Sequence, residues 1–369
     1  MKNVLLQQLN NSDFQWLKTH GNRQQIPAQT VLVEQHHPVN NFYIILQGVL
    51  VATMTKNKNR MDRVFAALEE EQELMQEITR FEPGEMFGEI SFSETSPSIT
   101  TVKSLENVLV LVVPAKQLRD KLEQDIGFAA RFYRASAILL LDRFNYLVQL
   151  FLTHKIGQIP PLQDVPLIFG ELSDSDVDWM IASGQLEELK AGEIIISAGR
   201  PVENLYVIIQ GTISVLVSEE RKNPLSSIFA ALENDQETQE LLQREIAQMA
   251  KGNLVGELAI LDTHLSFLTY VALENCTVLK IPRQKFLLKL EQDVGMAARF
   301  YRVVLMLLSQ RLQNLSSRLG YGRTEYKVGQ SLSEDRVYED EIDVASMDNL
   351  TLGGARLDWM LKRLKLKAN

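Results

Sequence analysis

The sequence predicts an α+β protein: two tandem antiparallel β-rolls of jelly-roll-like type, each flanked by helices, followed by a largely disordered C-terminal tail. Three observations carry that expectation. The passage KLEQDIGFAARFYR at 121–134 returns as KLEQDVGMAARFYR at 289–302, with twelve of fourteen residues identical. It returns in company, because NNFYIILQG at 40–48 answers ENLYVIIQG at 203–211, and FGEISF at 87–92 answers VGELAI at 255–260. The segments between are short, alternating and rich in β-branched residues, punctuated by Pro38, Gly48, Gly199 and Gly211, which is the pattern of strands and turns. A period near 165 residues means paired domains, since solenoid repeats recur every 20–50 residues or so.

The expected boundaries are 1–155 for the first domain, 156–163 for a linker and 164–320 for the second domain. An acidic flexible tether over 321–354 and a basic amphipathic helix over 355–369 complete the chain. Each domain opens with a short helix, LNNSDFQWLKTHG at 9–21 and LSDSDVDWMIASG at 172–184, for which Ser12 and Ser175 are the candidate N-caps. Strands follow (TVLVEQ, NFYIILQGVLVATM; EIIISAG, NLYVIIQGTISVLVS). After them come inserts at 56–81 and 218–251, where Phe65, Leu68, Leu74 and Ile78 are loosely helix-spaced, as in an exposed amphipathic helix. Two readings of the inserts stay open: a solvated lid and a docking surface. Beyond the Gly-Glu pairs lie two more strands and a long closing helix. In that helix Phe128, Phe132, Ala135 and Leu139, and again Met296, Phe300, Val303 and Leu307, form an apolar stripe. Such a stripe suits core packing, and its near-heptad step also suits a homodimer through the closing helices.

Composition narrows the function classes. The chain has 369 residues, 45% apolar and 23% charged, with a formal net charge of −9. That balance gives no electrostatic footing for nucleic acid, so no nucleic-acid partner is expected. One cysteine, Cys276, rules out an internal disulfide and fits a reducing compartment. The most apolar run, 135–152, is broken by Asp142 and Arg143. The expected location is cytoplasmic. No GxxxxGK[ST], HExxH or CxxC occurs, and the five histidines lack metal-ligand spacing. The His36–His37 pair beside Pro38 reads as a solvated turn. No metal and no enzymatic activity are expected.

Residues 331–350 hold seven acids against one Arg, so 321–354 reads as a solvated tether. It ends in ARLDWMLKRLKLKAN, with Leu357, Met360, Leu361 and Leu364 on one helical face among basic residues. Three readings stay open for that helix: docking to a protein, peripheral contact with a membrane surface, and folding back onto the body.

AGEIIISAGRPVENLYVIIQGTISV at 191–215 with GNLVGELAIL at 252–261 resembles the cyclic nucleotide-binding domain, and FYIILQG with FEPGEMFGEISF resembles it in the first half. The superfamily includes bacterial cAMP receptor proteins and regulatory subunits of cAMP-dependent kinase. The resemblance implies a ligand, cAMP or cGMP, held at Gly88, Glu89, Ile90, Ser91, Ser98 and Ile99, and at Gly256, Glu257, Leu258, Ala259, Ser266 and Phe267. In that scheme the N–H groups of a short helix face the cyclic phosphate, the Glu accepts from the ribose 2′-OH, and an Arg neutralises the phosphate. Here the Arg is replaced in both halves, by Ser98 in PSITTV and Ser266 in LSFLTY. Phe267 and Leu268 also add bulk where the family has Ala.

The tandem layout, the FAARFYR helices and the GARLDWMLKRL ending resemble a narrower group, cyanobacterial double-domain proteins described as bacteriocin-type transport-associated. That resemblance implies a regulatory or adaptor role beside peptide-export ABC transporter components. A nucleotide sensor signalling by movement of the closing helix is the alternative, and a transcription regulator the least favoured. If a ligand binds, the closing helix is expected to move as a hinge and docking helix, with Arg131 and Arg299 on its partner-docking surface and dispensable for the fold.

Overall fold

The computed structural model describes residues 4–55, 75–88, 98–153, 162–163, 168–218, 243–261, 265–319, 321 and 344–365. The chain divides into two compact units: Met1–Phe151 with Leu308–Val344, and Leu152–Leu307 with Ala345–Asn369. Both are built on the same plan.

In the first unit, helices α1 (Val4–Gln8) and α2 (Asn11–His20) precede two four-stranded antiparallel sheets. One sheet has the order β1 (Asn22–Ile26), β8 (Val108–Pro114), β3 (Asn41–Gln47), β6 (Met86–Phe87). The other runs β2 (Val31–Val33), β7 (Thr101–Ser104), β4 (Leu50–Thr55), β5 (Met75–Phe81). Val33, Ile45, Leu50, Ala52, Phe81, Phe87, Val102, Val108 and Val110 form one buried cluster drawn from both sheets. The alternation that marks these segments as strands sends one face of each sheet into that core. Helices α3 (Ala115–Gln124) and α4 (Ile126–Thr153) follow.

The second unit repeats this with α5 (Ile168–Glu171), α6 (Asp174–Ser183) and two sheets. The first is β10 (Gln185–Leu189), β17 (Cys276–Pro282), β12 (Asn204–Gln210), β15 (Leu254–Val255). The second is β11 (Ile194–Ile196), β16 (Thr269–Ala272), β13 (Ile213–Ser218), β14 (Gln243–Met249), β9 (Leu162–Gln163). Residues expected as linker thus supply β9, which pairs in parallel with β14. Helices α7 (Leu258–Leu261), α8 (Arg283–Gln292) and α9 (Val294–Arg318) follow, and α10 (Val344–Arg363) ends the described chain. The duplication extends to irregularities: register shifts at Val31/Val33, Ile45/Gln47 and Ala52/Thr53 recur at Ile194/Ile196, Ile208/Gln210 and Val215/Leu216.

Several expectations change. The N-caps are Asn10 and Ser173, two residues before Ser12 and Ser175, because each closes a capping box with Asp13 or Asp176 at N3. Ser12 instead hydrogen-bonds Asn10 Oδ1. Residues 75–81 and 243–249 are strands, not helix: Ile78 is buried in β5, which pairs along β4. The remainder of both inserts, with Phe65, Leu68 and Leu74, lies outside the described residues.

The closing stripe is a core face, not a free surface. Phe128, Phe132, Ala135, Met296, Phe300 and Val303 are fully buried, with Leu139 and Leu307 nearly so, which leaves that face unable to mediate a homodimer. Helix α4 is long and apolar enough to cross a membrane by length and composition, but most of its apolar side chains, Phe128, Phe132, Leu140 and Leu147 among them, are buried in the protein. The last helix starts at Val344 rather than 355 and folds back on the second unit, burying Leu357, Met360 and Leu361. The apolar face expected to meet a partner or membrane is therefore occupied. The expected tether over 322–343 lies outside the described residues.

Candidate functional site

The site expected from sequence centres on the turn after β6 and β15. Gly88 and Gly256 both have φ +91°, a left-handed conformation that side chains other than Gly rarely adopt. A Cβ on Gly88 would stand 2.5 Å from the Asn41 carbonyl oxygen, and one on Gly256 2.9 Å from that of Asn204. The close approach the glycine permits is to the chain itself, at the start of β3 or β12. The glycine is needed for the fold whether or not a ligand comes.

Glu89, Ile90 and Ser91 lie outside the described residues. In the second half Glu257 is fully buried, so in this conformation its carboxylate is closed to solvent. Leu258 and Ala259 open the four-residue α7. Arg283, at the start of α8, donates from Nε to the Ala259 carbonyl at 3.0 Å and ties the segment to the helix below. Sequence reasoning missed Arg283. Its counterpart in the first half is Ala115, so repetition gave no signal.

The two serines expected to stand in for the family's Arg do the same local work. Ser98 Oγ donates to the Thr100 carbonyl at 2.7 Å and accepts from the Thr100 N–H at 3.2 Å. Ser266 Oγ donates to Leu268 O and accepts from Leu268 N at the same distances. A hydroxyl has one proton to give, and here it goes to the residue two positions on. The backbones are pinned as well. His36 N–H donates to Ser98 O and Ser98 N–H to His37 O, while Gly199 N–H donates to Ser266 O and Ser266 N–H to Arg200 O. His36 belongs to this bridge with φ +66°, where the second half has Gly199 at +78°. The expectation of a purely solvated histidine pair is therefore half right, since His37 is exposed and His36 is not. Ile99 and Phe267 are half-buried, and Leu268 is buried, filling space in the second half.

The model of the cyclic nucleotide-binding domain matches residues 23–125 and 186–293, which include both Gly-Glu turns and both serine turns. The chain belongs to the cyclic nucleotide-binding domain family. It carries that domain twice, in tandem. No curated protein matches this chain.

Among solved structures, the Toxoplasma gondii PKA regulatory domain with cAMP is similar at 16% identity and TM-score 0.27, over 80% of this chain and 89% of that one. The regulatory subunit of a cAMP-independent protein kinase A from Trypanosoma cruzi, bound to guanosine, is similar at 21% identity and TM-score 0.27, over 80% and 81%. The catabolite activator protein of Thermus thermophilus is similar at 21% identity and TM-score 0.27, over 42% and 57%. Membership rests on the two matched segments.

The FAARFYR passage lies at the end of each cyclic nucleotide-binding domain and beyond it, and its geometry is structural. Asp125 caps α4 by accepting from Phe128 N–H at 2.9 Å and meets Lys121 Nζ at 2.8 Å. Asp293 does so with Met296 N–H and Lys289 at 2.9 Å each. These contacts hold both carboxyls below the usual range: the Lys121 bond leads at Asp125, the Met296 N–H leads at Asp293. Arg131 reaches Asp13 with Nε and Nη2 at 2.7 and 2.8 Å, and Arg299 reaches Asp176 at 2.7 and 3.0 Å. Gly127 and Gly295 leave room for those guanidiniums, which would lie 3.3 Å from an added Cβ. The expected docking role for Arg131 and Arg299 is thereby corrected: both are spent on nearly fully buried aspartates in their own domain.

Proposed function

We propose that the chain is a non-enzymatic regulatory protein whose two cyclic nucleotide-binding domains have given up the charged grip on a cyclic phosphate and serve as protein-binding modules. One observation carries the reading: in both halves the serine at the Arg position closes its own turn. Losing a charge-assisted, two-pronged contact costs about 2–4 kcal/mol, some 30- to 1000-fold in affinity, and a hydroxyl already committed to a carbonyl restores none of it.

A second reading has one observation in its favour. The Gly256 turn and α7 are formed in the second half, as a nucleotide sensor acting through its closing helix would require once Glu257, buried in this conformation, is uncovered. An accessory role beside a peptide exporter follows from the narrower sequence resemblance alone, and no described residue adds to it.

Calorimetric titration with cAMP and cGMP separates the two. The first reading expects no heat at millimolar nucleotide, and expects Ser98→Arg or Ser266→Arg to create measurable binding where the rest of the pocket is intact. Micromolar binding by the unaltered protein, abolished by Glu257→Ala or Glu89→Ala, would overturn it in favour of the sensor.

A further inference from the structure

The two halves serve as each other's control, and they differ where the last helix sits. Arg356 of α10 donates from Nη1 to the carbonyls of Phe169 and Gly170, both at 3.1 Å, and from Nε to Asp174 Oδ1 at 2.8 Å. One side chain thus satisfies carbonyls at the end of α5 and an acid in the first turn of α6. Arg363 meets Asp178 at 3.0 Å, one turn further along α6. Gly353 crosses Gly170 so closely that an added Cβ would lie 3.0 Å from the Gly170 nitrogen. Between these contacts Leu357, Met360 and Leu361 are buried.

The first half has the same helices without these features. Gln7 stands where Gly170 is, Asn11 where Asp174 is, and Gln15 where Asp178 is. Leu6 is 61% exposed, while its counterpart Phe169 is fully buried. The positions that hold the closing helix are shared, as with Asp13 and Asp176. A fourth acid, Glu171 against Gln8, pairs with Arg302 of α9 at 3.3 Å. The acids of 171–178 therefore alternate between α9 and α10, and only the one common to both halves is accounted for by the domain fold.

We propose that α5 and α6 of the second unit form a receptor for α10, read by Asp174, Asp178 and the bare Gly170, and that a second copy of the chain can supply the helix as well as the chain's own end. The described contacts seat α10 on α5 and α6, and 22 residues of sequence, 322–343, separate it from Tyr321, a reach long enough for a helix to be supplied by its own chain or by a second copy. The outer ion pair is half exposed on both sides, and water screens it. Three buried apolar side chains and one well-held arginine suit a ligand that exchanges.

The test uses the full chain carrying Arg356→Glu and Met360→Asp, whose own helix no longer seats. A fluorescein-labelled peptide of residues 344–369 is titrated by anisotropy. Micromolar binding is expected, weakened at least tenfold when Gly170→Gln, Asp174→Asn and Asp178→Gln give the face the first half's residues. No binding to the first variant, or undiminished binding to the second, overturns the proposal. Hydrogen exchange on the otherwise unaltered chain with only those three receptor changes gives a readout if the first variant does not fold. Amides of 353–363 should lose protection at least tenfold while those of β12 and β17 keep theirs, and retained protection of 353–363 overturns the proposal.

Discussion

A guanidinium that meets a carboxylate through two parallel N–H bonds holds it in one geometry, and Arg131 and Arg299 meet Asp13 and Asp176 in that way. The aspartates also cap α2 and α6 by accepting from the Asn10 and Ser173 N–H groups, so each carboxylate serves two elements. Asp13 is 2% exposed, and removing its partner leaves a buried charge uncompensated. Arg131→Ala is expected to cost roughly 2–4 kcal/mol, less than a wholly buried pair because a third of the Arg131 side chain is exposed. Urea unfolding measures it, and a loss under about 0.5 kcal/mol, the range of ordinary surface substitutions, would show that the clamp is not structural. The repetition of the passage was legible in the sequence, but its reason was not. A buried aspartate in a capping box looks like any polar helix residue until its partner, 118 positions away, is placed beside it.

At the scale of elements, the strands were legible and the helix starts less so. Period-two alternation fixes which face of β3 or β12 turns inward, but Asn10 and Ser12 are both capping residues, and only the N3 acid decides between them. The stretch MQEITRF defeats helix reasoning because Leu74 and Ile78 fit a helical spacing, while the strand it pairs with, β4, lies on the other side of the insert. The Gly-Glu turn was found by its glycine, and the structure adds why the glycine stays. Gly88→Ala forces a Cβ against the Asn41 carbonyl at a positive φ, so a loss of about 1–3 kcal/mol is expected. Thermal unfolding checks it, with Gly192→Ala as a comparison: that glycine also has φ +82° but open space around it, so its loss should be the smaller.

For the whole molecule, the two lysine-bonded caps set an acid limit. The carboxyls of Asp125 and Asp293 are held below their ordinary value in the folded chain. A depressed carboxylate contributes stability that is present above the unfolded value of about 3.9 and is lost as pH falls through the folded value. The protein carrying Asp125→Asn and Asp293→Asn should therefore be less stable than the parent at neutral pH. That gap should close as pH drops below about 4, the unfolded carboxyl range, and a gap constant between pH 7 and pH 2 would sink the argument. Two-domain organisation was legible because the halves could be laid over each other. The two serines were singled out in the sequence by the resemblance, whereas what their hydroxyls do needed the hydrogen bonds. The seat of α10 was not legible, since its acids lie in the half whose twin lacks them and its arginines lie almost two hundred positions on.

The clamp between α2 or α6 and the closing helix has a consequence for how such a chain arises. Asp13 to Arg131 and Asp176 to Arg299 each tie α2 or α6 to the closing helix, drawing β1–β8 of the first unit and β10–β17 of the second inside one closed loop, with β9 outside it. A segment whose two ends are clamped together this way carries its own closure. Its copying adds a second segment without reopening the first, and later change can settle on the outside, where the copies now differ.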